Sequence, residues 1–328
     1  MTETGETDSR LYHYTTQQGL LGILENNCIW TTHYKFLNDY SEIIRFRKKL
    51  IQHLASKSFG VDRQNRENKC NPVIDDLYKF LTHEIYITSF CKGSDQNPSA
   101  HINLNGLLSQ WRAYGEDGGF AIVFKKNELK KSLNIAEASF DFKTLFIGDV
   151  IYSDGREITH DTFYDIEKEP GTGVSCNDTQ DYESAFSEQL DIIERFIFDE
   201  ASKEEKESQL DEACLSFVKC VTCYKDYGFK EEREVRIVAM PAFQMFNKGK
   251  KREFRCKNGE QIPYIELFKP VKLSESNESI KSTLPIERII VSPHKNKEAR
   301  ATWLCIKLAE MGRTDIIVNV SEIPFIGR

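Results

Sequence analysis

The chain has 328 residues, 40% hydrophobic and 29% charged, with a formal net charge of −7. This composition excludes a disordered or fibrous chain, allows a sizeable core, and confines any nucleic-acid contact to a local patch. No apolar run nears the roughly 20 residues of a membrane helix, the opening MTETGETDSR is polar rather than signal-like, and nine scattered cysteines read as reduced thiols, so a cytoplasmic protein without membrane contact or disulfides is expected.

In chain order, Arg10 to Tyr14 reads as a short strand, and Thr15 or Thr16 caps a helix over Gln17–Glu25 that buries Leu20, Leu21, Ile23 and Leu24. Cys28 to Thr32 is extended, FLNDYSE is a loop whose Asp39 or Ser41 caps the next helix, and EIIRFRKKLIQHLASKSF is amphipathic. EIYITSF is a strand followed by a polar loop from Cys91 to about Gly106, after which LLSQWRAYGEDGGFAIVFKK gives a short helix, a glycine turn and a strand. The polar stretch at 161–179 and the acidic helical region from Asp181 to Tyr224 form a helical insertion or lid-side bundle, expected at about 161–225. EEREVRIVAMPAF is a strand, and a basic hairpin turns around Asn247 to Gly249. The end reads strand, helix, strand, and no internal repeat is present.

Five features bear on chemistry. His13, inside a strand, is either a satisfied structural residue or a group with a ligand, because a buried imidazole needs hydrogen-bond partners. In EREVRIV, strand alternation puts Glu232, Glu234 and Arg236 on one face, which is either a surface neutralised by Arg236 and Lys230 or a carboxylate pair aimed into a cleft. Trp111 and Tyr114 are core aromatics or a flat wall for a planar ring. Cys220 and Cys223 are a lone CxxC, a weak metal signal, so no metal is expected. The basic run FNKGKKREFRCK is a solvated tip or a phosphate-backbone contact through Lys250, Lys251, Arg252 and Arg255. Glycine-loop nucleotide motifs, HExxH and GxSxG are absent.

Together, LYHYT…GLLGILE, FLND…ITSF…LLSQWRAYG…GFAIVF and FKEEREVRIV…IERIIVSP resemble a bacterial family of unknown function that is similar to the ADP-ribosyltransferase superfamily, notably the DarT toxins and RNA 2′-phosphotransferases. The resemblance runs from about Leu11 to Gly312. It implies an α+β fold: one domain over 10–328 with a split, curved β-sheet, flanking helices and the helical insertion, preceded by a flexible stretch at 1–9.

What the resemblance further implies is an NAD cleft in which His13 bonds a ribose hydroxyl, Tyr114 faces the nicotinamide, with Trp111 and Tyr40 as competitors, and Glu234 is the catalytic carboxylate with Glu232 as the first acid of an E-x-E pair. Tyr14, Thr15, Asn38, Tyr40, Ser89, Trp111 and Arg112 line the dinucleotide, with Asp39 and Gln110 further candidates. A fixed carboxylate suits this reaction because breaking the nicotinamide bond develops positive charge on the ribose. The implied activity is mono-ADP-ribosyl transfer from NAD to a macromolecule, nucleic acid slightly ahead of protein, in a toxin or antiphage effector with an antitoxin as a candidate partner. NAD hydrolysis and a non-enzymatic sensor or antitoxin-like module are the alternatives.

Overall fold

The computed structural model describes residues 9–38, 40–57, 61–81, 84–94, 97, 99–114, 118–153, 177–242, 250–257, 259–269 and 283–324. The chain begins with β1 (Arg10–Thr15), α1 (Gln17–Asn26), β2 (Ile29–His33), α2 (Tyr40–Ser56), α3 (Val61–Leu81) and β3 (Tyr86–Lys92). The Thr16 hydroxyl accepts the Gly19 amide to cap α1, and Asn27, at φ 49°, ends it in the left-handed region. Then come α4 (His101–Asn105), α5 (Leu108–Tyr114), β4 (Phe120–Lys125), α6 (Lys126–Ser139), β5 (Phe142–Asp149) and β6 (Ile151–Ser153). The expected polar loop after Cys91 thus contains α4, whose Asn103 carboxamide ties the loop down through the Ser94 amide and the Ser94 and Asn97 carbonyls.

The acidic helical region is two helices, α7 (Asn177–Phe198) and α8 (Lys203–Thr222), the second opened by a capping box between Ser202 and Glu205. Residues 161–176 of the expected insertion lie outside the described residues, as do 1–8 of the expected N-terminal stretch. The lid-side reading is corrected: Phe186, Leu190 and Ile193 of α7 and Phe217, Val218 and Val221 of α8 share one core with Phe46 and Leu50 of α2 and with Ile87 of β3. Next are β7 (Tyr224–Asp226), a 3-10 turn (Tyr227–Glu232), β8 (Glu234–Pro241), β9 (Glu253–Lys257), β10 (Glu260–Leu267), β11 (Ile286–Val291), α9 (Lys297–Glu310) and β12 (Ile317–Val320). The expected turn at Asn247 to Gly249 lies outside the described residues; β9 and β10 pair antiparallel around Gly259, at φ 83°.

The described fold is α+β, with ten strands in one mixed sheet and β6–β7 as a small parallel pair. Its first face carries Leu11, Ile122, Phe124, Val235, Ile237 and Ile289 under α1, α6 and α9. The second face carries Tyr12, Cys91 and Val123 beside Trp111 of α5, and Ile87, Val238 and Met240 under α2, α7 and α8.

The sheet forks at β3. One edge is filled by β8 from Tyr86 to Cys91. Two strands divide the other: β1 pairs at Cys91 and Lys92, β2 at Tyr86 and Ile87. Of Thr88, Ser89 and Phe90, it is Ser89 whose backbone groups point to that edge, where they meet no strand, and backbone groups left without a ladder need other partners. The Thr88 hydroxyl donates to the Trp30 carbonyl at 3.2 Å, and His13 Nδ1 meets the Ser89 carbonyl at 3.1 Å. Thr88→Val should remove one of these substitutes and lower stability by about 1 kcal/mol in urea unfolding; a change within error would mean that the Trp30 carbonyl is satisfied without it.

Candidate functional site

At the fork, the Ser89 carbonyl only accepts, so His13 Nδ1 carries the proton and Nε2 keeps its lone pair. Burial pushes the imidazole below its ordinary range, against the raising effect of the Ser89 bond, which favours this neutral tautomer. The partner of His13 is thus a backbone carbonyl, and Nε2 is left to accept from something else.

The start of β8 gathers the charges. Arg236 Nε and Nη2 grip Glu234 side-on at 2.7 and 3.0 Å, and its Nη1 donates to the Thr222 carbonyl at 2.8 Å. Lys225 Nζ bridges both acids, 2.7 Å from Glu232 and 2.9 Å from Glu234, and lies 4.8 Å from the centre of the Phe229 ring. The Tyr152 hydroxyl accepts the Glu234 amide at 2.7 Å, and the Ser89 side chain, on the same face, favours the ionised Glu234. Burial alone would push that carboxyl up; the charges of Arg236 and Lys225 outweigh it and hold the pKa at about 2. Glu234 is an ionised, 3% exposed carboxylate.

Two expectations about the acids are corrected. Tyr12, Cys91 and Glu234 form one cross-strand row and share a face. His13 alternates to the other face, where its ring lies 5.5 Å from Phe90. His13 and Glu234 therefore do not face each other across a crevice; Ser89 lies between them, its carbonyl on the imidazole and its side chain on the Glu234 face. Glu232 is not a strand residue: it closes the 3-10 turn, and Arg233, at φ 44°, resets the chain before β8 begins. The two acids are brought together by Lys225 rather than by strand alternation.

The aromatic candidates separate. Trp111 is 1% exposed, gives its indole N–H to the Asn105 carbonyl and packs edge-on against Tyr14, so it is core rather than a nicotinamide wall. The Tyr14 hydroxyl accepts the Leu107 amide, a structural bond. Tyr114 ends α5 at 41% exposure, and Tyr40 opens α2 with its ring 5.9 Å from Tyr34. Thr15 ends β1, Asn38 and Arg112 are exposed, Gln110 is buried, and Asp39 lies outside the described residues. The second face instead offers Trp30 of β2, which shares that face with Thr32 and whose carbonyl accepts from Thr88. Trp30 and Lys225 were missed because a lone aromatic in an extended stretch and a lone lysine after a helix carry no local signal.

Three of the four expected acceptor-binding cations are committed elsewhere. Lys250 is buried with its ammonium 3.9 Å from the centre of the Phe140 ring, and burial pushes its pKa down to about 8. Arg252 grips Glu84 through Nε and Nη2 at 3.0 and 2.9 Å. Lys251 pairs with Glu253 at 2.8 Å. That corrects the picture of a solvated basic stripe and leaves Arg255. Cys220 and Cys223 are buried, burial pushing both thiols up, Cys223 to about 12. Among the described residues, no group of three His, Cys, Asp or Glu could hold a metal ion, and no helix is long and apolar enough to cross a membrane.

A family model described as "Protein of unknown function (DUF2971)" matches residues 110–237. Over that span, from Gln110 in α5 to Ile237 in β8, the chain is similar to an uncharacterised family; Lys225, Glu232, Glu234 and Arg236 lie inside it, and His13, Trp30 and Ser89 lie outside. No curated protein matches the chain, and no solved structure does.

The folded pKa of Glu234 lies below its ordinary 4.5, so its ionisation stabilises the fold fully above that pH, and the stabilisation is lost as pH falls toward about 2. Lys225→Met removes one compensating cation from a buried cluster and should cost about 3 kcal/mol at pH 7. It should also shift acid unfolding, followed by circular dichroism, to higher pH. An unchanged acid limb would show that Arg236 alone holds the carboxylate.

Proposed function

We propose that the chain is an NAD-consuming mono-ADP-ribosyltransferase whose nicotinamide-ribose end lies at the fork of the sheet. One observation carries this reading: a buried carboxylate, Glu234, is kept ionised on β8, one strand away from the gap that the Ser89 carbonyl and the neutral imidazole of His13 line. A fixed negative charge beside a gap suits a reaction whose transition state develops positive charge on a sugar.

In this reading the bond from ribose C1′ to the nicotinamide nitrogen breaks, and its electron pair leaves with nicotinamide. Glu234 binds the ribose hydroxyl next to that carbon and stabilises the charge as it forms. Three of its roughly four lone-pair sites hold Arg236 twice and Lys225, so the ribose hydroxyl takes the remaining site or the place of the Lys225 bond. His13, on the opposite face, keeps Nδ1 on the Ser89 carbonyl and so holds the strand edge next to the site in place. Glu232, the more exposed of the two acids, takes the proton of the acceptor as its nucleophile bonds to C1′.

Incubation with NAD labelled in its ADP-ribose half, together with cell extract, should transfer label to macromolecules, separable as nucleic acid or protein. Glu234→Gln should reduce transfer at least about a hundredfold. Because that change strips counter-charge from Lys225 and Arg236, Ser89→Ala provides a milder variant, expected to lose about tenfold in rate with an unaltered circular dichroism spectrum. Free ADP-ribose without labelled acceptor would replace transfer by hydrolysis; full activity in both variants would overturn the reading.

A further inference from the structure

On the same face as Ser89, β2, β10 and β9 build a second polar site that the ion-paired residues around Glu234 do not reach. Trp30 and Thr32 of β2, Tyr264 of β10 and Arg255 of β9 share that face by register. The rings of Trp30 and Tyr264 lie 4.6 Å apart at 36°. The Arg255 guanidinium carbon is 5.3 Å from the Trp30 ring centre and 5.9 Å from that of Tyr264, and Nη2 donates to the Thr32 hydroxyl at 3.0 Å.

Two donors in this cluster have no acceptor: Arg255 Nε and Trp30 Nε1 are both buried and unbonded. A buried donor without a partner loses its hydration and gets nothing back, so such groups in a native fold call for an explanation. The carboxylates on the same face do not supply one. Glu253 pairs with Lys251 and Glu266 with Lys269, and no ion pair of Arg255 occurs among the described residues. A planar cation held against aromatic rings, beside a second N–H and without a carboxylate, matches a tetrahedral oxyanion with several acceptor oxygens.

We infer that Arg255 and Trp30 form a phosphoryl-binding site on the β2–β10–β9 arm of the fork. The ligand class is a phosphate ester, either the diphosphate of a nucleotide or the backbone of an oligonucleotide. The site deepens the proposed function and rests on it only for which of these two sources is used.

Isothermal titration calorimetry of the full chain with inorganic pyrophosphate, ADP and a short single-stranded oligonucleotide tests the inference without turnover. At least one probe should bind saturably, with affinity falling as salt rises. Arg255→Gln should weaken it about tenfold or more. Trp30→Phe, which keeps a ring and removes the N–H, should weaken it several-fold, and Lys251→Gln should leave it unchanged. Tight ADP binding assigns the site to a nucleotide; binding of the oligonucleotide alone assigns it to a nucleic-acid backbone. Absence of saturable binding by all three probes, or equal affinity in Arg255→Gln and the parent chain, would overturn the site. A failed titration leaves the proposed reaction standing, and failed NAD labelling leaves the phosphoryl site standing.

Discussion

One edge of β3 is divided between two strands. Because β8 fills the opposite edge, β1 and β2 can reach only the two ends of the remaining one. Between them, the Ser89 backbone, which points away from β8, is deprived of a ladder in the middle of a large sheet. Unpaired backbone in a buried position must be satisfied or solvated, and here side chains do it: an imidazole for the Ser89 carbonyl, a threonine hydroxyl for the Trp30 carbonyl. The polar residues in otherwise apolar strands follow from that topology, and a gap with polar walls inside a rigid sheet is a natural place for a ligand.

Electrostatics then distinguishes the two walls. On the face of Glu234, two acids are held by Lys225 and Arg236 in a buried cluster that is stable only while every charge has its partner. Such a cluster gives the fold little net stability compared with an apolar one, yet it fixes a carboxylate in the ionised state. Farther along the same face, Arg255 and Trp30 hold donors that nothing in the described chain accepts. Acid near β8 and unsatisfied donors near β9 make this face polarised from one side of the sheet to the other.

Much of the fold is legible in the sequence because its signals are local. Alternation in RLYHYT, EIYITSF and FAIVFK marks β1, β3 and β4, and IERIIV with the amphipathic stretch after it marks β11 and α9. The site is less legible, since it is decided by which strand pairs with which and by the parity of the register. A shift of one residue moves a side chain to the opposite face; that parity separates His13 from Glu234, and neither segment alone encodes it. Glu232 looks like a strand neighbour of Glu234 because EREVRIV alternates, but Arg233 takes a positive φ and breaks the alternation. Lys225 reaches its acids from β7, and the basic run holding Lys250 and Arg252 looks solvated until Phe140 and Glu84 are brought to it by the fold.

The central claim is that the fork of β3 receives the ribose end of a dinucleotide beside Glu234. A crystal structure with a non-hydrolysable NAD analogue addresses it most directly. The account predicts the nicotinamide ribose within hydrogen-bonding reach of Glu234, on the face away from His13, with the Lys225 bridge to Glu234 loosened. An analogue bound elsewhere, with Lys225 still spanning Glu232 and Glu234, would contradict it.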